Sequence, residues 1–182
     1  MRLRNNFRFF FSLPKNNLII QLMENNIVKE LYDTDSKKVM NAAEDAYVRG
    51  SNRLEEIRNY ARQAGVKKIG IAHCVSMPKE AAAVGQFLSG DFEVFSVDCK
   101  CGRITKQEML GIEGGGIMCN PSGQAEFLKE KQTDLNISMV LCVGHDMIFS
   151  QKSDVAVTTL VVKDRVNNHN PMEGIRSMIE TA

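Results

Sequence analysis

The chain has 182 residues, is 43% hydrophobic, and sets 23 lysines and arginines against 22 aspartates and glutamates. That balance leaves no cationic excess to neutralise a nucleic-acid backbone, and no apolar stretch reaches the roughly 18–20 residues that a membrane helix needs. The expectation is one water-soluble domain with its own core.

Residues 1–34 read as an N-terminal extension, partly disordered or loosely docked. The segment carries Arg2, Arg4, Arg8 and Lys15 with no acid before Glu24. Arg8 interrupts its aromatic cluster, which is too short for the core of a secretory leader, and Met23 is an alternative start.

Residues 35–182 read as a single α/β domain. Asp35 or Ser36 is the expected cap of a helix whose apolar positions, Val39, Ala43, Ala46, Tyr47, Leu54, Ile57, Tyr60 and Ala61, recur at helical spacing. Gly65 ends it, and Gly50 is a point where it divides. "VKKIGIAHC" follows as a buried strand ending near Ala72, then "PKEAAAVGQFLSG" as a helix with Pro78 in its first turn. "FEVFSVDC" is a second strand. A short helix around Thr105 to Leu110 and a glycine loop, "GIEGGGIM", lead to "NPSGQAEFLKEK", a helix capped by Asn120 with Pro121 at its first position. "SMVLCV" is the expected third strand, "HDMIFSQKS" a short helix, and "VAVTTLVVKD" the fourth strand. The Asn-Pro device returns at Asn170 and Pro171 to open the last helix.

Four apolar, β-branched strands alternating with helices predict an open, doubly wound, mostly parallel sheet of at least four strands with helices on both faces. Ile69, Ile71, Val94, Phe95, Val140, Leu141, Leu160 and Val161 are the expected buried strand residues. In such sheets ligands bind outside the carboxyl ends of the strands. His73 and Cys74 follow the first strand, and Asp98, Cys99, Lys100 and Cys101 the second. Cys142, His145 and Asp146 follow the third, and Lys163, Asp164, Arg165 and His169 the fourth. Cys119 precedes a helix cap that opens on the same edge, so every cysteine and histidine of the chain maps to one rim.

Taken singly these residues have plain readings. Cys142, between Leu141 and Val143, reads as a small buried hydrophobe, and His73 or His145 as a hydrogen-bonded structural histidine. Five cysteines, an odd number, in a mixed α/β pattern argue for reduced thiols and a cytoplasmic location. Gathered on one rim, reduced thiols point to metal or cluster binding.

The blocks "RLEEIRNYARQAGVKKIGIAHC", "CNPSGQAEFLKEKQTDLNI" and "LCVGHDMIFSQKSDVAVTTLVVKDRVNNHNP" look like the signatures of an uncharacterised prokaryotic family, a domain of unknown function regarded as metal-binding. The resemblance runs from about Glu24 to the C-terminus. It implies that Cys74, Cys99, Cys119 and Cys142 occupy family cysteine positions. The chain departs from the family in having no cysteine before Cys74, where members carry a cysteine-rich segment. Cys101 falls outside the pattern, and the loop before Cys119 is short and glycine-rich.

Four thiolates at Cys74, Cys99, Cys119 and Cys142, with His145 at the edge, suit either a tetrahedral zinc or a 4Fe-4S cluster, in a redox or metal-handling role. The sulfurs are then expected to converge in one pocket, with Cys101 spare. Lys163 and Arg165 suit a small anionic ligand, and a solvated strand end explains them equally well. Asp146 beside His145 is placed to orient an imidazole. Two other functions stay open: a metal-free transferase or hydrolase with a Cys-His pair, formed by His145 with Cys142 or Cys74, and a non-enzymatic scaffold that binds a partner on the rim. Oligomeric state has no signature in the sequence.

Overall fold

The computed structural model describes residues 25–180. The basic and aromatic stretch up to residue 24 lies outside the described residues. The chain divides into two compact units between Glu44 and Asp45.

The first unit contains α1 (Asn25–Glu30) and nearly all of α2 (Thr34–Asp45). The backbone N–H of Ser36 donates to Asp33 Oδ1 at 2.7 Å, and this bond holds the Asp33 carboxyl below the usual carboxylate range. The capping carboxylate is thus Asp33 rather than Asp35 or Ser36. A capping side chain lies two or three residues before the N–H it serves, and Asp35 is already in the first turn.

The second unit holds α3 (Arg53–Gln63), β1 (Lys68–His73), α4 (Pro78–Leu88), β2 (Glu93–Asp98), a 3-10 turn (Cys101–Arg103), α5 (Lys106–Leu110), α6 (Pro121–Glu130), β3 (Leu135–Met139), α7 (Val143–Lys152), β4 (Val157–Val161) and α8 (Pro171–Glu180). Gly50, at φ +90°, breaks the run between α2 and α3. Asn52 then restarts it through a capping box, its Oδ1 accepting from Leu54 and Glu55 while Glu55 accepts from the Asn52 N–H. Among the described residues no helix is long and apolar enough to cross a membrane.

All four strands are parallel, in the order β2-β1-β3-β4. The chain leaves β1 through α4 to reach β2 on one side, then returns through α6 to place β3 on the other. Parallel crossovers share one hand, so this reversal sends helices to opposite faces. Ile69, Ile71, Leu135 and Ile137 pack with Ile57 and Ala61 of α3 and with Ala81, Val84 and Leu88 of α4. Ala72 and Val97 pack with Ala125 and Leu128 of α6 and Phe149 of α7. Gly70 makes the second face possible. A Cβ there would press on Asn136 Oδ1 and lie 2.7 Å from Leu128 Cδ1, so a side chain would force Asn136 and Leu128 to shift.

The expected strand burial holds in the centre and fails at the margins. Ile69, Ile71, Val140 and Leu141 are buried, whereas Val94, Phe95, Leu160 and Val161 are only half-buried. β2 and β4 are the edges of the sheet, and an edge strand lacks a neighbour on one side. The third strand also ends earlier than expected. β3 stops at Met139, and Val140 turns out of the sheet at φ +56°. Cys142 is therefore the N-cap residue of α7, not a strand residue.

Candidate functional site

β1 and β3 diverge in the order of the strands, so the crevice at their carboxyl ends is where an open α/β sheet binds ligands. The Cys74 N–H donates to Met139 O at 3.1 Å, tying the two ends together, and the Val140 N–H donates to Val161 O at 2.7 Å. Val140 is fully buried, and a β-branched residue in the left-handed region costs about 1–3 kcal/mol. That strain sits at the point where the chain turns toward Cys142.

Cys74 follows β1 and is 7% exposed. Its sulfur accepts from Lys163 Nζ at 2.8 Å and from Ser76 Oγ at 3.1 Å. Burial pushes this thiol up, but the hydrogen bonds from Lys163 and Ser76 and the charge of Lys163 outweigh it, and the net value is lowered to about 7. Cys142 Sγ accepts from the Arg165 guanidinium at 3.2 Å. The residue between the two cations does different work. Asp164 accepts from the backbone of Val166 and Asn167 and from Asn167 Nδ2, which folds the turn after β4 and holds the Asp164 carboxyl below its usual range.

Cys99 and Cys119 form a second arrangement, their sulfurs 3.5 Å apart. Asn120 builds it. The Asn120 N–H donates to Cys99 O at 2.8 Å, its Nδ2 donates to Cys101 O at 3.2 Å, and its Oδ1 accepts from the Gly123 N–H at 2.8 Å. A Cβ on Gly123 would lie 2.3 Å from Asn120 Nδ2, so the cap requires glycine there. Burial pushes the Cys99 thiol up to about 12. The Val75 N–H, donating to its sulfur at 3.4 Å, works against this, while neighbouring Cys119 and Cys74 add to it. Cys101 is also raised, by burial and then by Asp98, and its sulfur faces Asn120 O at 3.7 Å.

The histidines divide. His73 Nδ1 lies 2.9 Å from Cys74 O. A carbonyl only accepts, so Nδ1 carries the proton. His145 is pushed down by burial and then by the charges of Lys100 and Lys163. No hydrogen bond joins it to Asp146, whose Oδ1 is buried without a partner; the expected orientation of the imidazole by Asp146 is not what the structure shows. His169 belongs to the turn after β4, where its Nδ1 accepts from the Asp164 N–H at 3.2 Å.

Asn120 caps α6 as expected. Asn170 does not accept a backbone N–H for α8; its Nδ2 donates to Glu173 Oε1 at 3.1 Å. Three participants carry no sequence signal of their own: Ser76, the Val75 N–H, and Gln124. Gln124 is fully buried and its Nε2 donates to His73 O and Val97 O at 3.2 and 3.0 Å, bracing the ends of β1 and β2, while its Oε1 has no partner.

Cys74, Cys99, Cys101 and Cys119 share one packed cluster, and Cys142 stands outside it on Arg165. Among the described residues, no three histidine, cysteine, aspartate or glutamate side chains group closely enough to hold one ion. Cys74, Cys99, Cys119, Cys142 and His145 are therefore not assembled as a ligand shell. Lys163 and Arg165, the expected anion ligands, are placed on sulfur.

Residues 16–160 match the family described as "Protein of unknown function (DUF1847)". An uncharacterized protein of Methanocaldococcus jannaschii, MJ0455, is 41% identical over 151 residues, covering 79% of this chain and 78% of its own length. No solved structure matches.

Proposed function

Because the chain belongs to the DUF1847 family, whose function is not known, its chemistry has to come from its own residues, and we propose that the rim is a group-transfer centre in which the Cys74 thiolate is the nucleophile. The observation that carries this reading is the Lys163 ammonium 2.8 Å from Cys74 Sγ, at the point where the strand order reverses. A thiolate is the reactive form of cysteine, and a neighbouring cation raises its fraction at neutral pH. The activating partner is a lysine instead of the histidine of a Cys-His pair. Lys163 lies on the sulfur of a residue that is only 7% exposed, so a substrate with an anionic group draws Lys163 onto itself and uncovers the nucleophile. Lys100 and Arg165 extend the same positive field.

A cation against sulfur also weighs against a resident metal, since a divalent ion and an ammonium group repel each other at the same thiolate. The packing of Cys74 with Cys99 and Cys119 favours a second reading, in which these three hold zinc or another soft ion after Lys163 turns away.

One experiment separates the two. The rate of iodoacetamide alkylation at Cys74, followed by peptide mass spectrometry across pH, is expected to rise with a midpoint of about 7. In Lys163→Met the midpoint moves toward the ordinary thiol value of about 8.5. A wild-type midpoint at that ordinary value sinks the nucleophile reading, and joint protection of Cys74, Cys99 and Cys119 by stoichiometric zinc favours the ligand shell instead.

A further inference from the structure

A nucleophile at Cys74 leaves Cys99 and Cys119 without a task. Their sulfurs stand 3.5 Å apart, in direct contact, and a disulfide needs about 2.05 Å. Asn120 clamps the backbone on both sides of the pair. Cys99 also reaches the backbone beside the other thiol, because its sulfur accepts the N–H of Val75, the residue after Cys74.

We propose that the three thiols form a relay that reduces small disulfides, with Cys74 taking one half of the substrate and Cys99 and Cys119 closing into the disulfide that releases it. The relay rests on the nucleophile reading of Cys74 and names the group transferred, an RS unit from a low-molecular-weight disulfide RSSR.

The Cys74 thiolate attacks one sulfur of RSSR, the S–S bond breaks, a Cys74–S–S–R bond forms, and RS⁻ leaves and takes a proton. Cys99 gives its proton to water and attacks the Cys74 sulfur, forming Cys74–Cys99 and releasing the second RS⁻, which is protonated in turn. Cys119 loses its proton and attacks the Cys99 sulfur, forming Cys99–Cys119 and returning Cys74 as thiolate. Two electrons and two protons have passed from Cys99 and Cys119 to RSSR, giving two RSH. An external dithiol resets the pair.

The environments of the thiols favour the last step, in which Cys74 is the group that leaves. Exchange favours departure of the more acidic thiol, and Cys74 is the one held near neutrality by Lys163 and Ser76.

The test uses the full chain, reduced, desalted and exposed to one equivalent of oxidised glutathione at neutral pH, so that no oxidant remains for a second turnover, with non-reducing peptide mapping. Wild type is expected to lose two free thiols, yield a Cys99–Cys119 linked peptide and accumulate no glutathione adduct. Cys99→Ser accumulates the adduct on Cys74, Cys119→Ser stops at a Cys74–Cys99 bond, and Cys101→Ser matches wild type. Thermal midpoints confirm that each variant is folded, and Cys99→Ala replaces Cys99→Ser if a buried hydroxyl disturbs it. A Cys74 adduct that accumulates in wild type as in Cys99→Ser overturns the relay and leaves the nucleophile reading standing. No adduct on Cys74 in any variant, and no new disulfide in wild type, overturns both.

Discussion

On the sheet face covered by α3 and α4, the buried cluster is apolar throughout, from Ile57 and Ala61 through Ile69, Ile71 and Leu88 to Ile137. On the face covered by α6 and α7, Leu128, Val140 and Phe149 share the interior with Cys74 and Cys99, and the buried Gln124 and Asn136 lie on the same side. The interior of the first face is held by filled space, with polar contacts such as that of Arg53 in α3 with Thr158 in β4 at its margin. The second depends on hydrogen bonds as well: Gln124 to the ends of β1 and β2, and Asn136 to Thr133 and Ser153. Packing is tolerant of which hydrophobe fills it, whereas a hydrogen-bonded frame sets backbone positions, and the thiols hang from that backbone. Damage to the two faces should therefore read out differently.

The largest expected effect is in the cores themselves. Phe149→Ala should cost about 3–5 kcal/mol and Leu88→Ala about 2–5 kcal/mol in denaturant unfolding. Phe149 belongs to the helix that Cys142 caps, so its loss should also speed alkylation of Cys142. Leu88→Ala should leave the Cys74 midpoint at about 7. Equal thiol effects from both would erase the distinction between the faces.

A smaller effect belongs to the thiols and follows from proton linkage. Cys74 lies below the ordinary thiol value, so the unfolded chain binds the extra proton. Its contribution to stability is present above about 8.5 and is lost as pH falls through about 7. Cys99 is displaced the other way: its contribution is present below about 8.5 and is lost as pH rises toward about 12. Urea midpoints measured across pH should rise by the equivalent of about 1–2 kcal/mol between neutrality and the ordinary thiol value, then fall. Cys74→Ala should remove the rise and Cys99→Ala the fall. A profile unchanged in both variants would detach these thiols from folding.

The smallest effect lies outside both cores. Arg62 donates to both carboxylate oxygens of Asp91 at 2.7 and 2.8 Å, with side chains 48% and 24% exposed. Asp91→Asn should cost about 0.2–1 kcal/mol by thermal or denaturant unfolding, with thiol reactivity unchanged. A larger loss would show that this surface pair supports the packing of α3 more than its exposure suggests.

Much of the architecture was legible in the residues. Apolar β-branched runs separated by helical patterns required parallel strands, and Asn120 followed by Pro121 marked a helix start that the structure reproduces. Errors came where periodicity and hydrogen bonding part company. "SMVLCV" looks like a strand because Val140 and Leu141 are buried, yet the ladder ends at Met139. Apolar character reports burial, and only backbone geometry shows where the chain leaves the sheet. Val94 and Leu160 are half-buried, not buried, for a related reason, since edge position is a property of strand order.

The sequence by itself determined that thiols, imidazoles and cations lie at the carboxyl edge of the strands, because parallel strands joined by helices all end on the same side. Only the tertiary structure decided which of them meet. Lys163 reaches Cys74, Arg165 reaches Cys142, and Cys119 reaches Cys99, pairings that depend on β1 lying between β2 and β3 and on the turn that Asp164 ties. The same five cysteines could be ligands, nucleophiles or core residues when known only by position. Their chemistry depends on which charge lies within a hydrogen bond of each sulfur, and that is set by contacts between residues far apart in the chain.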